Sequence, residues 1–424
     1  MNATSTPQVS SSANALGGAP RLDYLDAVRA FALLLGIVFH ASLSFSPIYI
    51  GWAVMDISTS PLVLMFMHVS HSFRMEVFFL IAGFFGHMTF HRKGGGAFLK
   101  SRFMRIVVPF LVGWFLLKPL VNSGWAMGFA SLRGDVDILA GLGEGFKALE
   151  MLPAGIFVGS HLWFLYYLVL VTLVALVARG LVKSNGPLYD GLMGNVDSMF
   201  TWLSRSGFSV FLLALPTSMV VWFMSHWGVD TPDKTLVPHA PALILYSGFF
   251  VFGWVLHRNA ELMAGFARLT VVRWVVLGVG IVVSFVLSDM QSDTGHPQYE
   301  LAHAGFVASY AVMMWSLVFM TIGVFKKLCR RANPIVRYIA DASYWLYLIH
   351  LPIVVWLQVA VAELPFHWSL KLAGVSVATI LFALLTYDLF VRSTFVGAVL
   401  NGRRRTRALA GLMKVQGGVL KAGA

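Results

Sequence analysis

Ten times along the chain, a run of apolar residues reaches, or nearly reaches, the ~20 residues that a helix needs to cross a bilayer. The runs cover approximately 28–48, 62–90, 104–127, 160–182, 208–227, 239–257, 272–289, 303–325, 338–361 and 369–396. Charged residues make up only 12% of the sequence and hydrophobic ones 58%, whereas soluble domains carry about 25% charged residues. So much apolar surface cannot be hidden in one core, and lipid must be the solvent. Only helices and closed barrels satisfy their backbone polar groups in lipid. The expected fold is therefore an all-α integral membrane protein of about ten transmembrane helices. The second run is interrupted by HVSHSFR, which predicts a bent or partly broken helix.

The distribution of Lys and Arg sets the expected orientation. With the N-terminus in the cytoplasm and the runs alternating, the inside loops hold Arg92, Lys93, Lys100, Arg102 and Arg105, then Arg179, Lys183 and Arg205, then Arg258, Arg268 and Arg273, then Lys326, Lys327, Arg330, Arg331 and Arg337. The outside loops hold Arg133, Lys147 and Lys234. An even number of spans with both termini cytoplasmic follows. The formal net charge of +12 is thereby explained by topology, with no nucleic-acid partner. Residues 1–20 lack a cationic n-region and an apolar h-region, and read as a disordered tail rather than a signal peptide. A membrane domain spans 21–398, and 399–424, with RRRTR from Arg403, reads as a second, basic tail of the same kind. The single cysteine, Cys329, excludes an intramolecular disulfide. In the long outside loop 128–159, a weak helical pattern (Ile138, Leu139, Leu142, Phe146, Leu149) predicts either an interfacial helix or an ordinary surface loop. No internal repeat is visible.

Ionisable residues inside a bilayer are costly and usually mark a pathway or a site. The first run carries Arg29 and, eleven residues on, His40, which a helix would place roughly 16 Å apart along its axis. The second holds His68, His71, Arg74 and Glu76 within nine residues. His71 and Arg74 share a helical face, whereas Glu76 points elsewhere, as a counter-ion for another helix. RFMR (Arg102, Arg105) opens the third run, where a helix N-terminus would also favour anions; taken alone, the pair reads as a positive-inside topology anchor. SHLWFLYYL brings His161 and Trp163 to the start of the fourth run, and DASYWLYLIHLP brings Ser343, Tyr347 and His350 into the ninth. His87 and His91 are spaced for a metal, but no third ligand lies nearby, so they read as interfacial and no metal is expected.

Taken together, Arg29-x10-His40, FFLIAGFF, RFMR and SYWLYLIH resemble the membrane acyltransferase-3 family. LDAVRAFALLLGIVFHASL, HSFRMEVFFLIAGFF and SHLWFL look closer still to one branch, which succinylates osmoregulated periplasmic glucans. The motifs are short, but they fall in the family's order across most of 21–395. The resemblance implies a ten-helix core in the bacterial inner membrane, with cytoplasmic termini. It implies an acyl-CoA donor inside the cell, succinyl-CoA for this branch, and a periplasmic glucan hydroxyl outside, with no permanently bound cofactor. His40 corresponds to the family's essential histidine, Arg29 to its paired cation, and Arg102 and Arg105 to its Arg-x-x-Arg. Without an appended hydrolase-like domain, the chain is expected to act as a stand-alone membrane enzyme; a homodimer is left open.

Acyl transfer from a thioester to a hydroxyl needs a base and an oxyanion stabiliser. A neutral His40 suits the first role, with an acyl-histidine intermediate as the rival path. His350, Tyr347 or His71 could supply the oxyanion contact. His161, Trp163, Arg74, Glu76, Ser343, Arg102 and Arg105 are the expected substrate-binding residues, Arg74 as the cation for a succinyl carboxylate. Two alternatives stand beside this: an O-acetyltransferase for another cell-envelope polysaccharide, and a proton-coupled transporter or flippase built from the same buried groups. A structural scaffold would leave those groups unexplained.

Overall fold

The computed structural model describes residues 22–131, 136–147, 149–150, 160–225, 228–329, 331 and 333–408. The described residues form helices α1 (Asp23–Ser42), α2 (Pro61–His71), α3 (Arg74–Lys93), α4 (Gly95–Arg102), α5 (Val108–Ser131), α6 (Ile138–Lys147), α7 (Trp163–Lys183), α8 (Gly186–Arg205), α9 (Ser209–Val221), α10 (Ala240–Arg258), α11 (Met263–Phe266), α12 (Val271–Met290), α13 (Tyr299–Leu328), α14 (Pro334–Val361), α15 (Trp368–Thr386) and α16 (Phe395–Asn401), and no strand. Nine of the helical segments are long and apolar enough to cross a membrane, ten if the bent pair α8–α9 counts as one span. This is an all-α multi-pass membrane protein. The expected disordered stretch 1–20 lies outside the described residues.

Each break in these helices has a chemical cause. α2 and α3 are parted at Ser72–Phe73 within one apolar stretch. There Ser70 Oγ donates to the Phe66 carbonyl (2.6 Å) and Ser72 Oγ to that of Val69 (2.9 Å), back-bonds that compete with the helical ladder. The third span runs from Gly95 to Ser131 through a π-turn at Phe103–Val107. Pro109 lacks the N–H that would bond the Arg105 carbonyl four residues earlier, and the Tyr344 hydroxyl donates to that carbonyl instead. RFMR therefore sits inside a continuous span, and the expectation that it opens a helix is corrected. Gly94, with φ +80°, starts the helix eight residues earlier.

Two other expectations change. The run 208–227 is not a span by itself: α9 has 13 residues, about 20 Å of helix, against a hydrocarbon core of ~30 Å. It joins α8 at an angle of 119°. In the 128–159 loop, α6 packs antiparallel on α5 through Gly141, against Met127, and Gly145, against Pro119 and Ser123. Its glycine stripe, not its apolar pattern, decides the placement, and Ile138, Leu139 and Phe146 stay exposed. Leu149 is described beyond it; 132–135, 148 and 151–159 lie outside the described residues.

α1 packs against α3, α13, α14 and α15. α3 crosses α10 so closely that a Cβ on Gly83 would overlap the Phe250 carbonyl, and one on Gly253 the Leu80 carbonyl. Small residues at a crossing let backbones approach in lipid, and this contact holds α3, with Arg74 at its head, against the bundle.

Candidate active site

A cavity of about 750 Å³ runs through the bundle. At one end its wall carries Arg29, Arg92, Arg102, Arg105 and Arg403; at the other it carries His40, His71, Arg74, His161 and His350, and reaches the exposed Thr231. Trp163, Ser343 and Tyr347 line it as well. Of the residues expected to be catalytic or substrate-binding, only Glu76 is missing from the wall; His68, whose Nε2 lies 2.8 Å from Ser284 Oγ, also lies off it.

At the histidine end, three rings are tied to backbone carbonyls. A carbonyl only accepts, so each bonded nitrogen carries the proton and its partner across the ring is left as an acceptor. His161 Nε2 donates to the Leu348 carbonyl at 2.9 Å. That carbonyl is open because Pro352, four residues on, has no N–H to fill it. His350 Nδ1 donates to the carbonyl of Tyr347 at 2.7 Å. His71 Nε2 donates to that of Val229 at 2.8 Å. The Tyr347 hydroxyl donates to the His161 carbonyl at 2.8 Å. His350, Tyr347 and His71, from which an oxyanion donor was expected, thus direct these protons at the backbone.

His40 differs. Among the described residues neither of its ring nitrogens makes a hydrogen bond, and Nδ1 is buried. Its ring is held by stacking, 5.3 Å from the His350 ring and 5.7 Å from the near-parallel Trp52 ring. Trp52 Nε1 donates to Gln358 Oε1 at 2.9 Å, and Gln358 Nε2 donates to the His40 and Ala41 carbonyls, both at 3.0 Å. These carbonyls belong to the last turn of α1, where the Leu43 N–H also bonds the His40 carbonyl. The segment bearing Trp52 is itself pinned by the buried pair Asp56–Lys371 at 2.7 Å. Trp52 and Gln358 were missed from the sequence. The available signal was Gln358, a lone amide in the apolar run VVWLQVAV.

Arg74 is buried, with its guanidinium 4.3 Å over the Phe39 ring and its stem against Gly36. Its Nη1 has no hydrogen-bond partner, and no ion pair joins it to a carboxylate among the described residues. Asp341 pairs with Arg405 at 2.7 Å. Glu76 is fully buried off the cavity, and among the described residues neither of its oxygens has a hydrogen-bond partner. It does not serve as a counter-ion at salt-bridge distance. Arg74 is thus the cation this end of the cavity offers to an incoming negative charge.

At the other end, Arg29 Nη2 donates to the Ala340 carbonyl (2.9 Å) and lies 3.4 Å from Asp26. Since α1 is unbroken from Asp23 to Ser42, the eleven residues to His40 keep Arg29 a cavity's length from the imidazole rather than beside it. Arg102 lies over Phe98, 5.0 Å from its centroid. Ser343 Oγ donates to the Ala340 carbonyl and stands between the two groups. His87 and His91 lie apart from the histidine cluster: the His87 ring is 4.2 Å from that of His91, and its Nδ1 lies 2.8 Å from Nδ1 of His257. Among the described residues no group of three His, Cys, Asp or Glu could hold a metal.

The bundle thus encloses a cavity that joins a set of cations to an untethered histidine. Residues 22–388 match the model of the acyltransferase 3 family, an acyltransferase domain, and the chain belongs to that family: it is a membrane acyltransferase. Among its relatives, glucans biosynthesis protein C of Escherichia coli O157:H7 is 25% identical over 394 residues, covering 91% of this chain and 95% of the relative. The protein of that name from Salmonella agona (strain SL483) is 24% identical over 406 residues, covering 91% and 96%. No solved structure matches the chain.

Proposed function

We propose that this protein is an acyl-CoA-dependent O-acyltransferase of the bacterial inner membrane, moving a succinyl group to hydroxyls of a periplasmic glucan. The observation that carries this reading is the cavity, which joins the arginines at one end to His40 at the other. The charge asymmetry of the loops supports cytoplasmic termini, so that the arginines face the CoA pool. The similarity to glucans biosynthesis protein C supports the glucan acceptor.

The donor's phosphates bind Arg29, Arg102 and Arg105, and its pantetheine arm extends along the cavity. That arm is about four peptide-like units long, roughly 14 Å, close to the ~16 Å between Arg29 and His40 along α1. The thioester carbonyl then lies by His40. An acceptor hydroxyl entering past Thr231 attacks the carbonyl carbon, and its proton passes to His40 as general base. The carbon–sulfur bond breaks, the acyl group stays on the sugar oxygen, and His40 returns the proton to the leaving thiolate. Three neighbouring histidines are anchored to carbonyls while His40 is not, so His40 can take and release a proton without breaking a bond to the protein. Arg74 receives the succinyl carboxylate, since a buried anion without a partner is very costly and a guanidinium can grip it in two places.

The test is thioester consumption by purified protein in detergent, with glucan present, followed by mass analysis of the glucan. The expected result is release of free CoA matched by a mass gain of one succinyl per turnover. No thioester consumed in detergent, with glucan crossing the bilayer of proteoliposomes made from the same protein, would replace this reading with a flippase.

A further inference from the structure

The start of the basic tail is not loose; it folds back across the arginine end of the cavity. α16 ends at Asn401, and Gly402 closes it in the left-handed region, at φ +75°. Glycine enters that region without penalty. The turn lays the backbone on Arg105, where a Cβ on Gly402 would overlap the guanidinium. Leu400, Asn401 and Arg403 thereby become cavity wall. The segment is tied down from behind. Arg405 N donates to the Arg392 carbonyl (2.9 Å), Arg392 Nε to that of Thr406 (2.7 Å), and Ala408 N to Asp388 Oδ1 (2.8 Å), while Arg405 pairs with Asp341. Residues 402–408 form a strap over the mouth.

The charges there do not balance. Asp26 lies 3.4 Å from Arg29, and Asp341 pairs with Arg405. Arg92, Arg102, Arg105 and Arg403 all face the cavity, and none forms a salt bridge among the described residues. Anchoring a helix end requires cations near the membrane surface; it does not require four of them on one cavity wall, where like charges repel.

Resting on the acyl-CoA reading above, we propose that the strap completes the donor site: Arg403, held beside Arg105 by the Gly402 turn, binds the phosphates of the donor's nucleotide. It makes the enzyme prefer acyl-CoA to thioesters that lack phosphate. An anionic lipid headgroup offers similar chemistry and is the competing source of phosphate.

The experiment uses full-length protein in lipid nanodiscs, as wild type, Arg403→Glu, Arg403→Lys and Gly402→Ala. Calorimetry reads the binding of adenosine 3′,5′-bisphosphate, and turnover is compared with succinyl-CoA and succinyl-pantetheine. Losing a hydrogen bond to a charged group should weaken bisphosphate binding about tenfold in Arg403→Glu. The KM for succinyl-CoA should rise with it, so that the preference over succinyl-pantetheine falls by a similar factor. Arg403→Lys keeps the charge and should recover most of the loss. Gly402→Ala, which pushes the Arg105 guanidinium aside, should shift binding in the same direction. Wild-type bisphosphate affinity in Arg403→Glu, with turnover intact, would overturn the strap and leave the acyl-CoA reading standing. Bisphosphate binding that needs Arg403, in a protein that consumes no thioester, would uphold the phosphate site and overturn the reaction. Binding that depends on Arg403 only for phosphatidylglycerol, measured by varying nanodisc composition, would assign the strap to lipid and overturn its place in the donor site.

Discussion

The two ends of the cavity are built by opposite means. At the histidine end, ring orientation is fixed by backbone carbonyls, one of them opened by Pro352, and by the Trp52–Gln358 contact over α1. Three of its rings are tethered, and the untethered imidazole of His40 lies among them. At the arginine end the groups are long, flexible side chains brought together by the π-turn before Pro109 and by the C-terminal strap. A site that moves a proton needs fixed geometry; a site that grips phosphates remote from the reacting carbon needs charge and reach. The contrast teaches which kinetic parameter each end should control.

The strongest challenge to that division is His40→Ala. Loss of a general base typically costs about 10²–10⁴-fold, and kcat should fall by that order in correctly inserted protein. Retention of more than a tenth of wild-type turnover would remove His40 from the proton transfer. A burst of labelled enzyme with donor alone would instead favour an acyl-histidine intermediate.

Arg74→Gln sharpens the histidine end by asking what charge it serves. Loss of a charged hydrogen-bond partner is worth about 10–100-fold, which should appear in succinyl-CoA turnover while slow acetyl-CoA turnover persists. An equal loss with both donors, together with a lower melting temperature, would make Arg74 a structural cation.

At the opposite end, Arg102→Ala and Arg105→Ala should raise the donor KM by about tenfold while changing kcat less, because remote phosphates are bound alike in ground and transition states. An unchanged KM in both variants and in the double variant would return RFMR to topology anchoring.

The smallest effect is expected from Pro352→Ala. The new N–H competes with His161 for the Leu348 carbonyl and loosens one ring in the fixed set. A fall in kcat of a few fold, at most about tenfold, with donor KM unchanged, would mark an orientation effect. Equal kcat would show that packing alone holds the His161 ring.

Much of this was legible in the sequence because it depends on composition and local spacing. Apolar runs of bilayer length dictate helices in any solvent that cannot bond the backbone, and the interruption HVSHSFR marked the break between α2 and α3. Eleven residues of uninterrupted helix fixed the separation of Arg29 from His40. Charged and imidazole groups in apolar runs stood out because lipid tolerates them poorly. Tertiary structure alone decided what those groups meet. It placed Glu76 off the cavity and left Arg74 without an ion pair among the described residues. It carried the helix of RFMR back to Gly95, shortened the fifth run to α9, and laid the basic tail over Arg105. It brought Trp52 and Gln358, more than 300 positions apart, onto the same histidine. The reason is physical: helix periodicity and desolvation cost act over a few residues, whereas the partner of a side chain is set by which helices pack, and that depends on glycine contacts and proline-opened carbonyls far apart in the chain.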